Sequence, residues 1–163
     1  MTCTAIVIAA SRVASGPENY NPGMNEPRRL AHVERIAIRW GDMDAMGHVN
    51  NTVYFRYMEQ ARISWFEALV PDAEAWKHTG IVIVNAACHY KRPITYPGTV
   101  EVRLLIGRLG TSSVATFYEL RVDADPEPWA SGEAMVVFVS MATQRPMRIP
   151  DEMRARLEKA GAT

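Results

Sequence analysis

At 163 residues the chain has the size of one domain, with enough length to bury a core. Its 18 basic residues balance 18 acidic ones, which removes the basic excess that nucleic-acid phosphates demand and excludes nucleic acid as a partner. No apolar run approaches the roughly 20 residues of a membrane span, and the two cysteines, Cys3 and Cys88, form neither a disulfide framework nor a metal spacing, so the reading is a cytoplasmic protein in a reducing setting, without membrane contact.

Residues 1–29 read as an N-terminal extension, because SGPENYNPGMNEP is rich in Pro, Gly and Asn and has no apolar period. Met24 inside it offers a second start. TAIVIAA is too short and lacks the basic flank of a signal peptide; it belongs to that tail or adds a strand. Residues 30–163 read as one domain. In HVERIAIRW, Ile36, Ile38 and Trp40 alternate with Arg35 and Arg39, the pattern of a half-buried strand. From Asn51 the period changes: Tyr54, Tyr57, Met58, Ala61, Trp65 and Leu69 recur at helical spacing, and the helix they predict starts on Asn50, Asn51 or Thr52 as N-cap and stops before Pro71. PDAEAWKHTG predicts a short second helix.

Beyond it lie IVIVNAACHYKRP, TVEVRLLIGRL, SVATFYELRV and WASGEAMVVFVSM, β-rich runs separated by the turn chemistry of TYPG, GRLGTS and DADPEP. IPDEMRARLEKAG closes the chain as a short polar helix. A strand, a long helix and then consecutive strands without intervening helices predict an α+β fold with an antiparallel sheet whose apolar face the long helix covers.

The loop GDMDAMGHVNN, between the first strand and the long helix, is dense in polar chemistry. Asp, Asn and Gly build tight turns by bonding their own backbone, which is the plainest reading. Calcium fails, since an EF-hand begun at Asp42 would put Met46 at the fifth position and Val53 where a bidentate Glu belongs. A transition metal on Asp42, Asp44 and His48 lacks a further ligand at helical spacing nearby, so no metal is assigned. The remaining reading is acyl transfer. A carboxylate just before a helix N-terminus meets free N–H groups and the positive end of the dipole, and the same groups can hold an oxyanion. No Gly-x-Ser-x-Gly elbow is present and neither cysteine sits in a nucleophile signature, which leaves a carboxylate mechanism for hydrolysis. Asp42, nearer the strand end, is read as the residue that caps the turn.

The stretch RWGDMDAMGHVNNTVYFRYMEQAR resembles hotdog-fold acyl-CoA thioesterases of the 4-hydroxybenzoyl-CoA thioesterase-like family, most of all the long-chain acyl-CoA type. Its HVNN tetrad is similar to plant-type acyl-ACP thioesterases. HYKRPITYPGTVEV, GRLGTSSVATFYEL and TQRPMRIPDEMRARL extend the resemblance over roughly Leu30 to Leu157. It implies a long central helix wrapped by an antiparallel sheet of about five strands, assembled as a homodimer or homotetramer with the active site across the dimer interface.

It also implies Asp44 as nucleophile or general base, no cofactor, and the backbone N–H near Asn51 as the group that polarises the thioester carbonyl. His48, Asn50 and Asn51 depart from the strict 4-hydroxybenzoyl-CoA pattern and point to an aliphatic or small polar acyl group. His48 orders water, touches the acyl group or bonds the turn backbone; Asn51 is read as an N-cap whose N–H also serves catalysis. Glu59 lines the acyl pocket or is a surface charge. The phosphates of CoA need cations and donors, for which Lys91, Arg92, Arg145, Arg148, Ser112 and Ser113 are the candidates. The competing readings are an acyl-ACP thioesterase and a non-catalytic hotdog module that binds an acyl-CoA.

Overall fold

The computed structural model describes residues 27–160. The TAIVIAA segment, and with it the question of tail or strand, lies outside the described residues. Five strands form one antiparallel sheet: β1 (Arg29–Ala37), β2 (Thr79–Tyr90), β3 (Thr99–Leu109), β4 (Ser113–Val122) and β5 (Ala130–Ser140), in the order β1-β3-β4-β5-β2. Helix α1 (Asn51–Leu69) follows β1 directly, and α2 (Asp151–Lys159) ends the described chain. Among the described residues no helix is long and apolar enough to cross a membrane.

The alternation of β3, β4 and β5 sends Val102, Leu104, Ile106, Tyr118, Leu120, Val136 and Phe138 to one face, all of them buried. Tyr54, Tyr57, Met58, Ala61 and Trp65 of α1 meet that face at the predicted helical spacing; Leu69 is half-buried and Phe66 joins the core in its place. Burying such side chains stabilises by roughly 1.5–3 kcal/mol each, and this apolar seam is what holds helix on sheet. Gly132 of β5 lets the two approach closely, because a side chain there would collide with the Met58 sulfur. Helix α2 fixes the far end through Met153 and Leu157 in the core and through Arg156, whose Nη1 donates to the Leu69 carbonyl at 2.9 Å.

Three expectations change. Trp40 is not a strand residue facing the core: it is 78% exposed and opens a single 3-10 turn, Trp40–Asp42, because β1 stops pairing where Ala37 meets Thr99. The second helix is likewise one 3-10 turn, Ala73–Trp76, capped by the Asp72 carboxylate on Glu74 N–H; strand β2 starts too soon after it for a longer helix. The N-cap of α1 is Asn50, not Asn51, since its side chain accepts from Thr52 N–H at 2.9 Å.

The sheet has unequal edges. Helix α1 leans over β1 and β3, leaving the β2 side open. A bulge between Ile83 and Asn85 throws Val84 out of register, and Val84 and Ile83 stand exposed on that strand.

Candidate active site

The loop between β1 and α1 folds as a tight hairpin. Met43 bridges to Val49, Asp44 N–H donates to the His48 carbonyl at 2.8 Å, and Gly47 turns the chain at a φ of 79°, a left-handed conformation that glycine adopts without strain. Val49 N–H then donates to the Ile94 carbonyl at 2.8 Å, tying the hairpin to the segment between β2 and β3. The turn chemistry read from the sequence is therefore present, but it leaves groups over.

Asp44 is half-buried. Its Oδ1 accepts from Met46 N–H at 2.8 Å, while Oδ2 has no hydrogen-bond partner among the described residues. At the start of α1, Thr52 N–H goes to Asn50 Oδ1 and Val53 N–H to the Asn50 carbonyl; the Asn51 N–H is left without an acceptor among the described residues. Both residues line one open cleft of about 340 Å³, bounded by Asp44, His48, Asn51, Tyr54, Tyr90 and the Lys91–Arg92–Pro93 turn. An anionic oxygen and an unsatisfied helix N-terminal donor thus share one space, with the positive end of the α1 dipole behind the donor.

The two loop aspartates part company here. Asp42 Oδ2 accepts from Arg39 N–H at 2.9 Å and from the Tyr57 hydroxyl at 2.7 Å, closing the turn as the sequence reading assigned it. It opens on the opposite flank of α1, toward β1, among Arg39, Arg56 and Gln60. Burial, and then the bond to the Asp42 carboxylate, push the Tyr57 hydroxyl well above the usual tyrosine range. A metal held jointly by Asp42, Asp44 and His48 finds no support in this arrangement, because Asp42 and Asp44 line different clefts.

The His48 ring is exposed and makes no hydrogen bond among the described residues; only its backbone carbonyl serves the turn. Asn50 spends its side-chain oxygen on the cap, taking both Thr52 N–H and, at 2.7 Å, the Thr52 hydroxyl. Arg92 is aimed rather than free. Its guanidinium lies 4.5 Å from the Trp129 ring centroid and pairs with Asp125 at 2.9 Å. The Trp129 indole N–H first, then the Glu127 N–H and this pairing, hold the half-buried Asp125 carboxyl below the usual carboxylate range.

The structure does not bring the whole candidate set together. Glu59 lies farther along α1 and faces two other hollows. Ser112 and Ser113 sit on the β3–β4 hairpin, a strand length of about 30 Å from the end of β3 nearest the loop. Arg145 and Arg148 follow β5 at that same distant end, Arg148 paired with Asp151.

Two tyrosines complete the cleft and were not singled out from the sequence. Tyr54 accepts from Ile94 N–H at 3.2 Å, and its ring meets that of Tyr90 edge-on at 4.9 Å. Tyr90 in turn donates to the Asn51 carbonyl at 3.1 Å, so it braces the first residue of α1. Burial raises both hydroxyls above the ordinary tyrosine value. Tyr54 looked like one more helix-face core residue; the only signal for Tyr90 was its place at a strand end just before Lys91 and Arg92.

Comparison with known proteins places the fold. The Escherichia coli (strain K12) long-chain acyl-CoA thioesterase FadM is 27% identical over 134 residues, 77% of this chain and 96% of FadM. Among solved structures, the PA2801 protein of Pseudomonas aeruginosa superposes with a TM-score of 0.73 at 42% identity, covering 79% of this chain and 99% of that one. A thioesterase from Thermus thermophilus, solved in complex with coenzyme A and Zn, gives 0.71 at 30% identity over 82% of this chain and 96% of its own. The long helix against a single five-stranded antiparallel sheet is the hotdog fold expected from the sequence. The family model of the thioesterase-like superfamily matches residues 38–157, from the last core residue before the loop to the last buried residue of α2, and the chain belongs to that superfamily.

Proposed function

We propose that this chain hydrolyses the thioester of an acyl-CoA to free acid and CoA, with Asp44 as nucleophile or general base. The observation that carries the reading is the meeting, in one cleft, of the unpartnered Asp44 Oδ2 and the unpartnered Asn51 N–H. A thioester carbonyl accepting from that N–H is polarised by it and by the helix dipole, which stabilise the oxyanion as it forms. The carboxylate then attacks the carbonyl carbon, giving a mixed anhydride that water opens, or it takes the proton of a water that attacks directly. In both routes the C–S bond breaks, the sulfur keeps the electron pair and CoA leaves as the thiol after protonation.

Lys91 and Arg92 at the cleft rim suit the phosphates of CoA, Arg92 already being held by Trp129 and Asp125. The HVNN tetrad favours a second reading, an acyl-carrier-protein thioester as substrate. In that case turnover of the carrier-bound acyl group exceeds that of the matched acyl-CoA.

The reading includes a homodimer, or a homotetramer built from two. Antiparallel pairing of two β2 edges continues the sheet and closes the open seam beside α1. The twofold of such a pair carries the β3–β4 hairpin of the second copy to the Asp44 end of the first. The partner subunit's Ser112 and the partner subunit's Ser113, far from Asp44 within one chain, then approach the cleft. Steady-state hydrolysis over a panel from acetyl-CoA to palmitoyl-CoA, with aroyl and polar acyl groups, tests the proposal. Turnover of at least one member is expected. Acyl-CoA binding with no turnover anywhere on the panel overturns it in favour of a binding module.

A further inference from the structure

Beyond the Asp44 cleft, the seam between α1 and the β2 side of the sheet continues. Tyr90, Cys88 and Ala86 follow one another on the helix-facing side of β2, as the register with Ala130, Gly132 and Ala134 of β5 shows. Across from them, Tyr54, Phe55, Met58 and Arg62 follow one another along α1. Past the Tyr54–Tyr90 pair lies a second hollow of about 240 Å³, separate from the first, whose walls are largely apolar: Phe55, Met58, Ile83, Ala86 and Ala134. Glu133 also borders it, but its register partners Phe117 and Ala87 put its side chain on the other face of the sheet.

Two cations line this hollow, the exposed Arg56 and, farther along α1 from Asp44, the half-buried Arg62. Arg62 forms no ion pair among the described residues; Glu59, one turn earlier on the rim, is exposed and does not reach it. Its guanidinium is nonetheless held in place. Arg62 Nη1 donates to the Tyr118 hydroxyl at 3.3 Å, Tyr118 lies 3.1 Å from Thr116 Oγ1, and Thr116 donates to the Ala134 carbonyl at 2.9 Å. Because Thr116 spends its only proton on that carbonyl, the Tyr118 hydroxyl must donate to Thr116, and its oxygen is then an acceptor toward Arg62. Donation runs one way, inward from Arg62 through the buried Tyr118 and Thr116 to the Ala134 carbonyl, and it occupies one of five guanidinium N–H groups. A half-buried guanidinium with donors left over beside an apolar hollow is matched by a carboxylate, which takes two of those donors side by side.

Resting on the thioesterase reading, we infer that the acyl group runs along this seam and that Arg62 binds a carboxylate at its far end, so that the substrate class is the mono-CoA thioester of a medium-length dicarboxylic acid. Asn51 and Arg62 stand about 16 Å apart along the helix axis, and a helical side chain leans back toward the N-terminus, so the thioester-to-carboxylate span is on the order of 10–15 Å. That suits a chain near the length of decanedioate. A plain fatty acyl group of equal length would leave Arg62 desolvated and unpaired, which is the source of the discrimination.

Two measurements test Arg62, one without turnover. Equilibrium binding by calorimetry is compared for the monomethyl ester of decanedioate, which keeps one terminal carboxylate, and for methyl decanoate, which has none, and kcat/KM is compared for decanedioyl-CoA and decanoyl-CoA. The wild-type protein is expected to favour the dicarboxylic member at least about tenfold in both. Arg62→Gln should erase that preference by weakening only the dicarboxylic arm, Arg62→Lys should restore part of it, and Tyr118→Phe, which removes the acceptor that aims the guanidinium, should reduce it severalfold. Equal handling of the two chain types by the wild-type protein, or a preference that survives Arg62→Gln, overturns the inference. If no acyl-CoA is hydrolysed, the thioesterase reading falls, and the binding comparison still decides for or against Arg62 on its own.

Discussion

Asp42 and Asp44 are two positions apart and face different flanks of the same helix, and the hydrogen bonds explain why their roles divide. Asp42 gives Oδ2 to both Arg39 N–H and the Tyr57 hydroxyl, whereas Asp44 gives only Oδ1 to the turn and keeps Oδ2 toward the cleft. Replacing Asp44 with Asn keeps the size and the acceptor for Met46 N–H but removes the charge that attacks or takes a proton. We expect kcat to fall by about 10²-fold or more with little change in acyl-CoA affinity or melting temperature. Asp42→Asn should invert that pattern, costing about 1 kcal/mol in denaturant unfolding with a smaller kinetic effect. An Asp44→Asn variant of full activity would remove Asp44 from the mechanism. At this scale the loop was legible because its residues are adjacent in sequence. Tyr90 and Arg62 were not, since each owes its role to partners that only folding supplies: Asn51 and Tyr54 for one, Tyr118 and Thr116 for the other.

Elements followed from the sequence wherever one periodicity ran long enough. The apolar spacing of α1 predicted the helix and the face it buries, and the β-rich runs predicted β3 to β5, whose buried faces follow from their alternation in the sheet. Trp40 misled because alternation says nothing of where a partner strand ends: past Ala37 no ladder remained to hold it in the pleat. The start of α1 was narrowed to three residues, and Asn50 proved the cap. Its choice matters for chemistry, because an Asn50 cap takes up the Thr52 N–H and leaves that of Asn51 for a ligand. Asn50→Ala should therefore cost about 1 kcal/mol of stability and also lower kcat, by loosening the first turn that carries the Asn51 donor. Unfolding and steady-state kinetics on the same preparation check both. A stability loss with kcat unchanged would mean that the first turn keeps its geometry without the cap.

Among the described residues the molecule is left uncovered along one side. Helix α1 covers the β1 half of the sheet, and the uncovered β2 edge presents Ile83, Val84, 59% exposed, and Tyr90, 48% exposed, beside Phe55 of the helix. Soluble proteins seldom leave an apolar strand edge and an apolar groove side by side, because either one invites association. Nothing in the sequence marks that edge as special, since IVIVNAACHY reads like any other buried strand; only the strand order puts it outermost. Pairing two copies through β2 would cover the edge and the seam together, and it would explain why candidate substrate residues lie at both ends of one chain. We therefore expect light scattering to report a dimer or tetramer at micromolar concentration. Val84→Glu makes the sharper test. Val84 bulges out of register and is mostly exposed in the single chain, so a glutamate there costs a monomer little, whereas in a paired edge it places two like charges close together across the twofold. The variant should run as a folded monomer that retains its circular dichroism and loses activity at least about tenfold. A Val84→Glu monomer with undiminished kcat/KM would show that each chain carries a complete site, and the shared-cleft arrangement would have to be abandoned.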